Sequence, residues 1–447
     1  MQQKRMIILG AGESGVGAAL LGKKCGFDVF VSDVHIISEE YRITLVDNAI
    51  EFEEGTHSTG RILKADLVVK SPGIPEKNEL IQSIRAGNIE LISEIELAYR
   101  YKGKSKIIGI TGSNGKSTTT SLMHHICQTA GLSCAIVGNI GYSFAKQVAK
   151  DPKDIYVAEI SSFQLDDIKS FRPDIAILMN ITEDHLDRYD YKFENYIKSK
   201  FKIAGNQTVE DIFIYNLDDK VIEEYLNQFS IKSKALPFTM NKPLPQGAYI
   251  TNDKMHLKWK DEEMTMSVED FAIKGKHNKY NTMAAGLSAF TMEIRKEKIR
   301  DAMQTFTSLE HRMERVAIIK GVEFINDSKA TNTNSTWYAL ESMEQPTILI
   351  LGGVDKGNDY SFLKKLVKEK VKAIVCMGVD NRKIHEAFGN IVELIVNTGG
   401  AKDAVQAAFH FANKGDIVLL SPACASFDLF KNYEDRGRQF KQAVKEL

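Results

Sequence analysis

The sequence predicts an α/β protein of three domains, each organised around parallel strands. Three observations carry that expectation. Short apolar runs ending in Gly, Asn, Asp or Ser recur along the chain: MIILGAG, DVFVSD, DLVVKSPG, KIIGITG, IYVAEIS, DIAILMN, DIFIYN, TILILGG, AIVCMG and DIVLLSPA. Helix-patterned stretches separate them, as in α/β units with buried parallel strands. The length of 447 residues, 43% of them hydrophobic, allows several domains of about 100–200 residues each. Two seams divide the chain, the polar, basic YRYKGKSK at Tyr99–Lys106 and the stretch Thr305–His311 before HRMERV. The expected domains are therefore 1–102, 103–309 and 310–447.

Charge and cysteine content exclude several classes. With 58 Lys+Arg against 59 Asp+Glu the net charge is -1, so no global field recruits nucleic acid or an anionic membrane. Cys25, Cys127, Cys134, Cys376 and Cys424 are scattered and never form CxxC, which points away from a disulfide framework or a zinc site and toward a reducing cytoplasm. Glu13 interrupts the apolar start MQQKRMIILGAGESGVGAALL, and no small-residue cleavage pattern follows. No apolar run reaches the roughly 20 residues of a membrane span. Nothing suggests a coiled coil or partner stripe, so a monomer is expected.

In the first domain, Gly10-Ala11-Gly12-Glu13-Ser14-Gly15 follows a strand and opens a helix, and Asp33 ends the next strand. This dinucleotide fingerprint predicts a Rossmann-like domain, with glycines admitting a diphosphate to a helix N-terminus and an acid within reach of a ribose. The base is left open among nicotinamide, flavin and uracil, and a tight turn without ligand explains the same glycines. Ser71–Pro75, SPGIP, follows another strand and is either a second wall of that site or a rigid turn.

The middle domain carries ITGSNGKSTTT at Ile110–Thr120. The common phosphate loop asks for glycine five places before Gly115, where this chain has Ile110. Even so, Gly112, Ser113, Asn114, Gly115, Lys116, Ser117 and Thr118 at a strand-to-helix junction form an anion nest. Lys116 is placed for the β/γ-phosphates and Ser117 for Mg²⁺, so a P-loop ATPase-type parallel sheet is expected. Segments 205–274 alternate and are rich in turns, as in AYITNDKMHLKWKDEEMTM, which predicts hairpins.

The motif TGSNGKST resembles the ATP loop of the Mur ligases, the amide-forming enzymes that build the peptidoglycan stem peptide. Glu159-Ile-Ser-Ser-Phe-Gln164, Asn180-Ile-Thr-Glu-Asp-His185-Leu-Asp187-Arg188 and Gly275-Lys-His277-Asn278-Lys-Tyr-Asn281 follow in that family's order. The resemblance spans nearly the whole chain. EISSFQLD is most similar to the branch that adds D-glutamate to UDP-N-acetylmuramoyl-L-alanine.

The resemblance implies ATP, two Mg²⁺ sites and an acyl-phosphate route. Ser117 and Glu159 would hold one Mg²⁺; His185, with Lys200 as a CO₂-derived carbamate, would serve the second. Taken without the family, Lys200 in YIKSKFKI reads as a solvated helix lysine like Lys198 and Lys202. Asn278, Asn281, Arg312 and Asp327 would complete the ATP site. Gly12, Glu13, Ser14, Asp33, Val34, Gly73, Asn139 and His185 would receive the UDP-linked substrate, although Val34-His35 stands where one member of the family carries Thr-Arg and Glu13-Ser14 where it carries an apolar residue and Thr. A Rossmann-like third domain would offer D-glutamate Thr331, Lys356, Ser426, Phe427 and Tyr433. Lys116, Asn139, His185, Lys200 and Lys329 would act in catalysis. Three rivals remain: a folylpolyglutamate synthase, to which the first domain is foreign; an NAD-dependent dehydrogenase, which leaves TGSNGKST unexplained; and a nucleotide-binding regulator without turnover.

Overall fold

The computed structural model describes residues 3–140, 142–184, 186–307, 310–355 and 358–447. Three sheets order the chain as a three-domain α/β fold. The first contains β1 (Arg5–Leu9), β2 (Asp28–Asp33), β3 (Glu51–Glu54), β4 (Leu67–Lys70) and β5 (Glu90–Ser93), all parallel in the order β3-β2-β1-β4-β5. The second contains β6 (Lys106–Thr111), β7 (Cys134–Gly138), β8 (Ile155–Glu159), β9 (Ile175–Leu178), β10 (Ile212–Asn216), β11 (Lys234–Thr239), β12 (Gly247–Thr251), β13 (Lys254–Trp259) and β14 (Glu262–Ser267). Its order is β14-β13-β12-β11-β10-β9-β6-β8-β7, parallel except for the β12-β13-β14 meander. The third contains β15 (Glu314–Ile319), β16 (Val322–Asn326), β17 (Thr347–Leu351), β18 (Val371–Met377), β19 (Leu394–Thr398) and β20 (Ile417–Leu420), in the order β15-β16-β20-β17-β18-β19, antiparallel only between β15 and β16.

Residue pattern explains these elements. The strand TILIL is buried at every position; Leu349 and Leu351 enter one apolar cluster while Ile348 and Ile350 enter the other, because alternate side chains of a strand leave opposite faces. The turn between β12 and β13 places Asn252 and Asp253 at φ of 49° and 54°, the left-handed pair that closes a two-residue hairpin.

The chain divides into two compact units, Met1–Ala272 with Asn278–Phe306, and Ile273–His277 with Thr307–Leu447. The first two sheets share one unit because a common core runs from Met6 and Val31 through Leu97 to Tyr156 and Phe213. Two buried carboxylates on the helix Glu94–Tyr101 tighten this join. Glu94 accepts from the Ala145 N–H at 2.5 Å. Glu96 accepts from the N–H groups of Lys169, Ser170 and Phe171 at 3.0, 3.0 and 2.7 Å. Among the described residues no helix is long and apolar enough to cross a membrane.

Burial pushes the Glu94 carboxyl from its ordinary 4.5 up to about 7, against the Ala145 and Ser143 hydrogen bonds. The folded protein therefore keeps a proton that the unfolded chain releases between those values. Stability from this group falls as pH rises through that window. Glu94→Gln removes the cost: its midpoint of urea unfolding should exceed the wild-type midpoint above pH 7, and the gap should narrow as pH falls to 4.5.

Candidate active site

The loop after β6 is organised from below. Gly115 caps the helix Lys116–Thr129 with φ of 82°, and a Cβ there would lie 2.5 Å from Asn281 Oδ1. Glycine is thus required by conformation and by the close approach of a neighbouring helix. Asn180, at the end of β9, holds the loop in shape: its Oδ1 accepts from Asn114 N at 2.8 Å, its Nδ2 donates to Asn114 O at 3.0 Å, and its carbonyl accepts from Ser113 N at 2.9 Å. Ser113 Oγ donates to Thr182 O and accepts from Thr182 N, both at 3.0 Å. Ser117 is buried in the first helical turn and Thr118 is half-buried. Asn278 and Asn281, buried and bonded to each other at 3.0 Å, reach the same helix through Thr119, which donates to Asn281 Oδ1 at 3.3 Å.

Two ammonium groups converge on one carbonyl. Lys116 Nζ donates to Gly112 O at 2.7 Å and Ser113 O at 2.8 Å, and Lys200 Nζ donates to the same Gly112 O at 2.8 Å. Lys200 is 1% exposed, with its Nζ 4.5 Å from the centre of the Tyr196 ring. Burial, and then the charge of Lys116, hold its ammonium well below the usual lysine range, with Asp184, Asp166 and Glu159 opposing. The solvated reading of this lysine is therefore wrong. Tyr196, Ile197, Lys200, Phe201, Ile203 and Ala204 form the buried face of their helix while Lys198 and Lys202 are exposed; helical spacing, not residue type, was the available signal.

Beside this pair, Glu159 ends β8 and is 1% exposed. Its Oε1 accepts from Asn139 Nδ2 at 2.7 Å, and its Oε2 is buried without a hydrogen-bond partner among the described residues. An unsatisfied buried carboxylate oxygen at the end of the strand beside β6 fits a hard divalent cation such as Mg²⁺. A second acidic group, Glu310, His311 and Glu314, already holds a cation: Lys441 Nζ donates to Glu310 at 2.8 Å and to Glu314 at 2.6 Å. His185 lies outside the described residues.

The first-domain residues Gly12, Glu13, Ser14, Asp33, Val34 and Gly73 follow β1, β2 and β4 and so share the carboxyl edge of their sheet, where open α/β sheets bind ligands. Asp33 supports the glycine turn: its carboxylate accepts from Ala11 N at 2.6 Å and His35 N at 2.8 Å. Glu13 pairs with Lys146 at 3.1 Å and accepts from Ser143 N at 3.2 Å, a role the sequence did not reveal. Val34 is half exposed.

Within the C-terminal unit, Asp327 is buried, accepting from Ser421 Oγ at 2.9 Å and Met313 N at 3.3 Å. Burial pushes it up to about 7, opposed by Ser421 and by the nearby charge of Arg312. Lys329 Nζ stands 3.7 Å from the centre of the Tyr433 ring. Thr331 is half-buried, Ser426 buried and Phe427 exposed. Lys356 lies outside the described residues, but the preceding Val354 pairs with Ala425 through N–H···O bonds of 2.8 and 3.2 Å. Sequence reading missed Arg436. Fully buried, it donates to Ser328 Oγ and O at 3.0 and 2.8 Å and twice to Cys424 O at 3.1 Å. It thereby ties the loop after β16 to the loop after β20.

Comparison with known proteins agrees with this architecture. A MurD N-terminal domain model matches residues 5–80, a Mur ligase middle domain model 110–289, and a Mur ligase glutamate ligase domain model 311–424. The chain belongs to the Mur ligase family, whose members are ATP-dependent and in general use Mg²⁺. Over its length it is similar to proteins named UDP-N-acetylmuramoylalanine–D-glutamate ligase: 53% identical to that of Christiangramia forsetii, covering 99% of this chain and 100% of that protein, and 52% identical to that of Bacteroides fragilis, with the same coverage. Among solved structures, UDP-N-acetylmuramate-alanine ligase MurC from Thermotoga maritima matches at a TM-score of 0.63 and 16% identity, covering 99% of each chain. A pseudomurein peptide ligase type C from Methanothermus fervidus matches at 0.63 and 20%, covering 99% of this chain and 100% of that one. Such likeness at low identity is evidence for the shared fold.

Replacing Arg436 by Met would strand the buried carbonyls of Ser328 and Cys424. Urea unfolding of the C-terminal unit should show a loss of about 3 kcal/mol.

Proposed function

We propose that the chain is an ATP-dependent amide ligase of cytoplasmic peptidoglycan precursor synthesis, joining D-glutamate to UDP-N-acetylmuramoyl-L-alanine through an acyl phosphate. The observation that carries the reading is the convergence of Lys116, Lys200, Asn139 and Glu159 around the glycine loop after β6. Cations, a loop of backbone N–H groups and one carboxylate at a helix N-terminus suit a polyphosphate with its metal. The end-to-end similarity to D-glutamate ligases narrows the substrates.

In this reading residues 1–102 bind the UDP-linked substrate, 103–309 bind ATP and 310–447 bind D-glutamate. The substrate carboxylate attacks the γ-phosphorus of ATP and ADP leaves. The D-glutamate amine then attacks the acyl carbon, and phosphate leaves with one oxygen of the original carboxylate. Lys116 and the loop Gly112–Thr118 hold the phosphates, Ser113 and Asn114 by shaping the loop, since their N–H groups donate to Asn180, while Asn139 and His185 orient the acceptor carboxylate. Asn278, Asn281, Arg312 and Asp327 fix the nucleotide. Lys329 faces the reacting groups, and Thr331, Lys356, Ser426, Phe427 and Tyr433 hold D-glutamate. Gly12, Glu13, Ser14, Asp33, Val34 and Gly73 line the UDP pocket, the first three through a helix N-terminus rather than the Glu13 carboxylate, which Lys146 occupies. Ser117, Glu159, His185 and Lys200 would hold Mg²⁺ at two sites, where the ion supplies neutralisation of phosphate charge. The depressed ammonium of Lys200 supplies the neutral amine that carbamate formation needs. The protein acts as a monomer, free of nucleic acid and membrane.

Phosphate release should require ATP, UDP-N-acetylmuramoyl-L-alanine and D-glutamate together, and Lys116→Ala should lower it by about 10³-fold. Release without the UDP-linked acceptor would contradict the reading. Lys200→Arg, which keeps a hydrogen-bond donor but cannot form a carbamate, should fold and lose activity by about 10²-fold or more. The wild type in ¹³C-bicarbonate should show a carbamate carbon by NMR that this variant lacks.

A further inference from the structure

The turn Ser71–Pro75 after β4 presents three successive carbonyls to one guanidinium. Arg188 Nη1 donates to Gly73 O at 3.0 Å, and Nη2 donates to Pro72 O at 3.0 Å and Ile74 O at 3.5 Å. Its planar group lies 4.6 Å from the centre of the Phe163 ring. A second cation grips the turn from beneath: Lys70 Nζ, on a residue 4% exposed, donates to Ile74 O at 3.2 Å and pairs with Asp167 at 2.8 Å. Asp167 also pairs with Arg85 at 2.7 Å. Arg188, Phe163 and Asp167 all stand on connections that leave the second sheet: Phe163 in the helix Ser162–Asp166 after β8, Asp167 at the end of that helix, and Arg188 in the 3-10 turn Leu186–Arg188 after β9.

Gly73 itself is exposed, and a Cβ added there would meet nothing within 4 Å. Its φ lies outside the left-handed region. No packing within the protein fills the space beside Gly73, so that flank is open to a ligand. The turn's carbonyls are drawn toward Arg188 and its bare flank remains accessible.

We infer that Arg188 is a positioning residue for the UDP-linked substrate, fixing the Pro72–Ile74 turn against the loops of Glu159 and Asn180 so that this substrate is aligned with the ATP loop. The inference rests on the proposed ligase reading. A planar fork spanning adjacent carbonyls while stacking on a ring suits arginine and not lysine.

The test is steady-state kinetics of full-length wild type, Arg188→Ala and Arg188→Lys, with calorimetric binding of UDP-N-acetylmuramoyl-L-alanine in the absence of ATP. Arg188→Ala should raise the KM and Kd for that substrate about tenfold or more, leave the KM for ATP within about twofold, and be only partly rescued by Arg188→Lys. Binding by both variants at wild-type strength would overturn the inference, as would a parallel rise in the KM for ATP, which marks general structural damage. A wild type that binds the UDP-linked substrate without ligating D-glutamate would instead overturn the ligase reading.

Discussion

The arrangement on which the site depends is the meeting of two ammonium groups, Lys116 and Lys200, at the carbonyl of Gly112. Like charges this close in a buried place repel, and Glu159, the adjoining carboxylate, also serves Asn139. Burial, with the charge of Lys116 beside it, lowers the affinity of Lys200 for its proton against the pull of Asp184, Asp166 and Glu159. The fold supplies what this needs: an interior strand of the sheet, a helix starting behind it, and Asn180 bracing the loop from beyond the neighbouring strand.

The loops of the first two sheets are held as one body. Glu94 and Glu96 cap backbone N–H groups of the central domain, and Lys70 and Arg188 fasten the turn after β4. In the third sheet's loops a buried guanidinium bonded to hydroxyl and carbonyls adds to the Asp327–Ser421 hydrogen bond and the Val354–Ala425 pairing. A solved neighbour at 16% identity shares this framework.

Much of this was legible in residue order. Glycine-ended apolar runs located parallel strands because both sheet faces are buried, and Asn252-Asp253 announced its hairpin by tolerating positive φ. The strand-to-helix junction at Lys116 was visible because only small residues admit a phosphate nest. Lys200 escaped a charge-based reading because burial is a property of the helix face. Arg188 and Arg436 escaped because their partners are backbone carbonyls distant in sequence, which no side-chain pattern announces. The seam at Tyr99–Lys106 has a polar surface but lies over a continuous core, since Glu94 and Glu96 precede it facing inward.

The central claim is that the loop of Lys116 hands the terminal phosphoryl group of ATP to a carboxylate. Isotope transfer reports this directly. With UDP-N-acetylmuramoyl-L-alanine carrying ¹⁸O in its alanyl carboxylate, phosphate formed during ligation should contain one labelled oxygen, because the carboxylate oxygen bridging carbon and phosphorus departs with phosphorus. Unlabelled phosphate, released at the rate of ligation, would contradict the account.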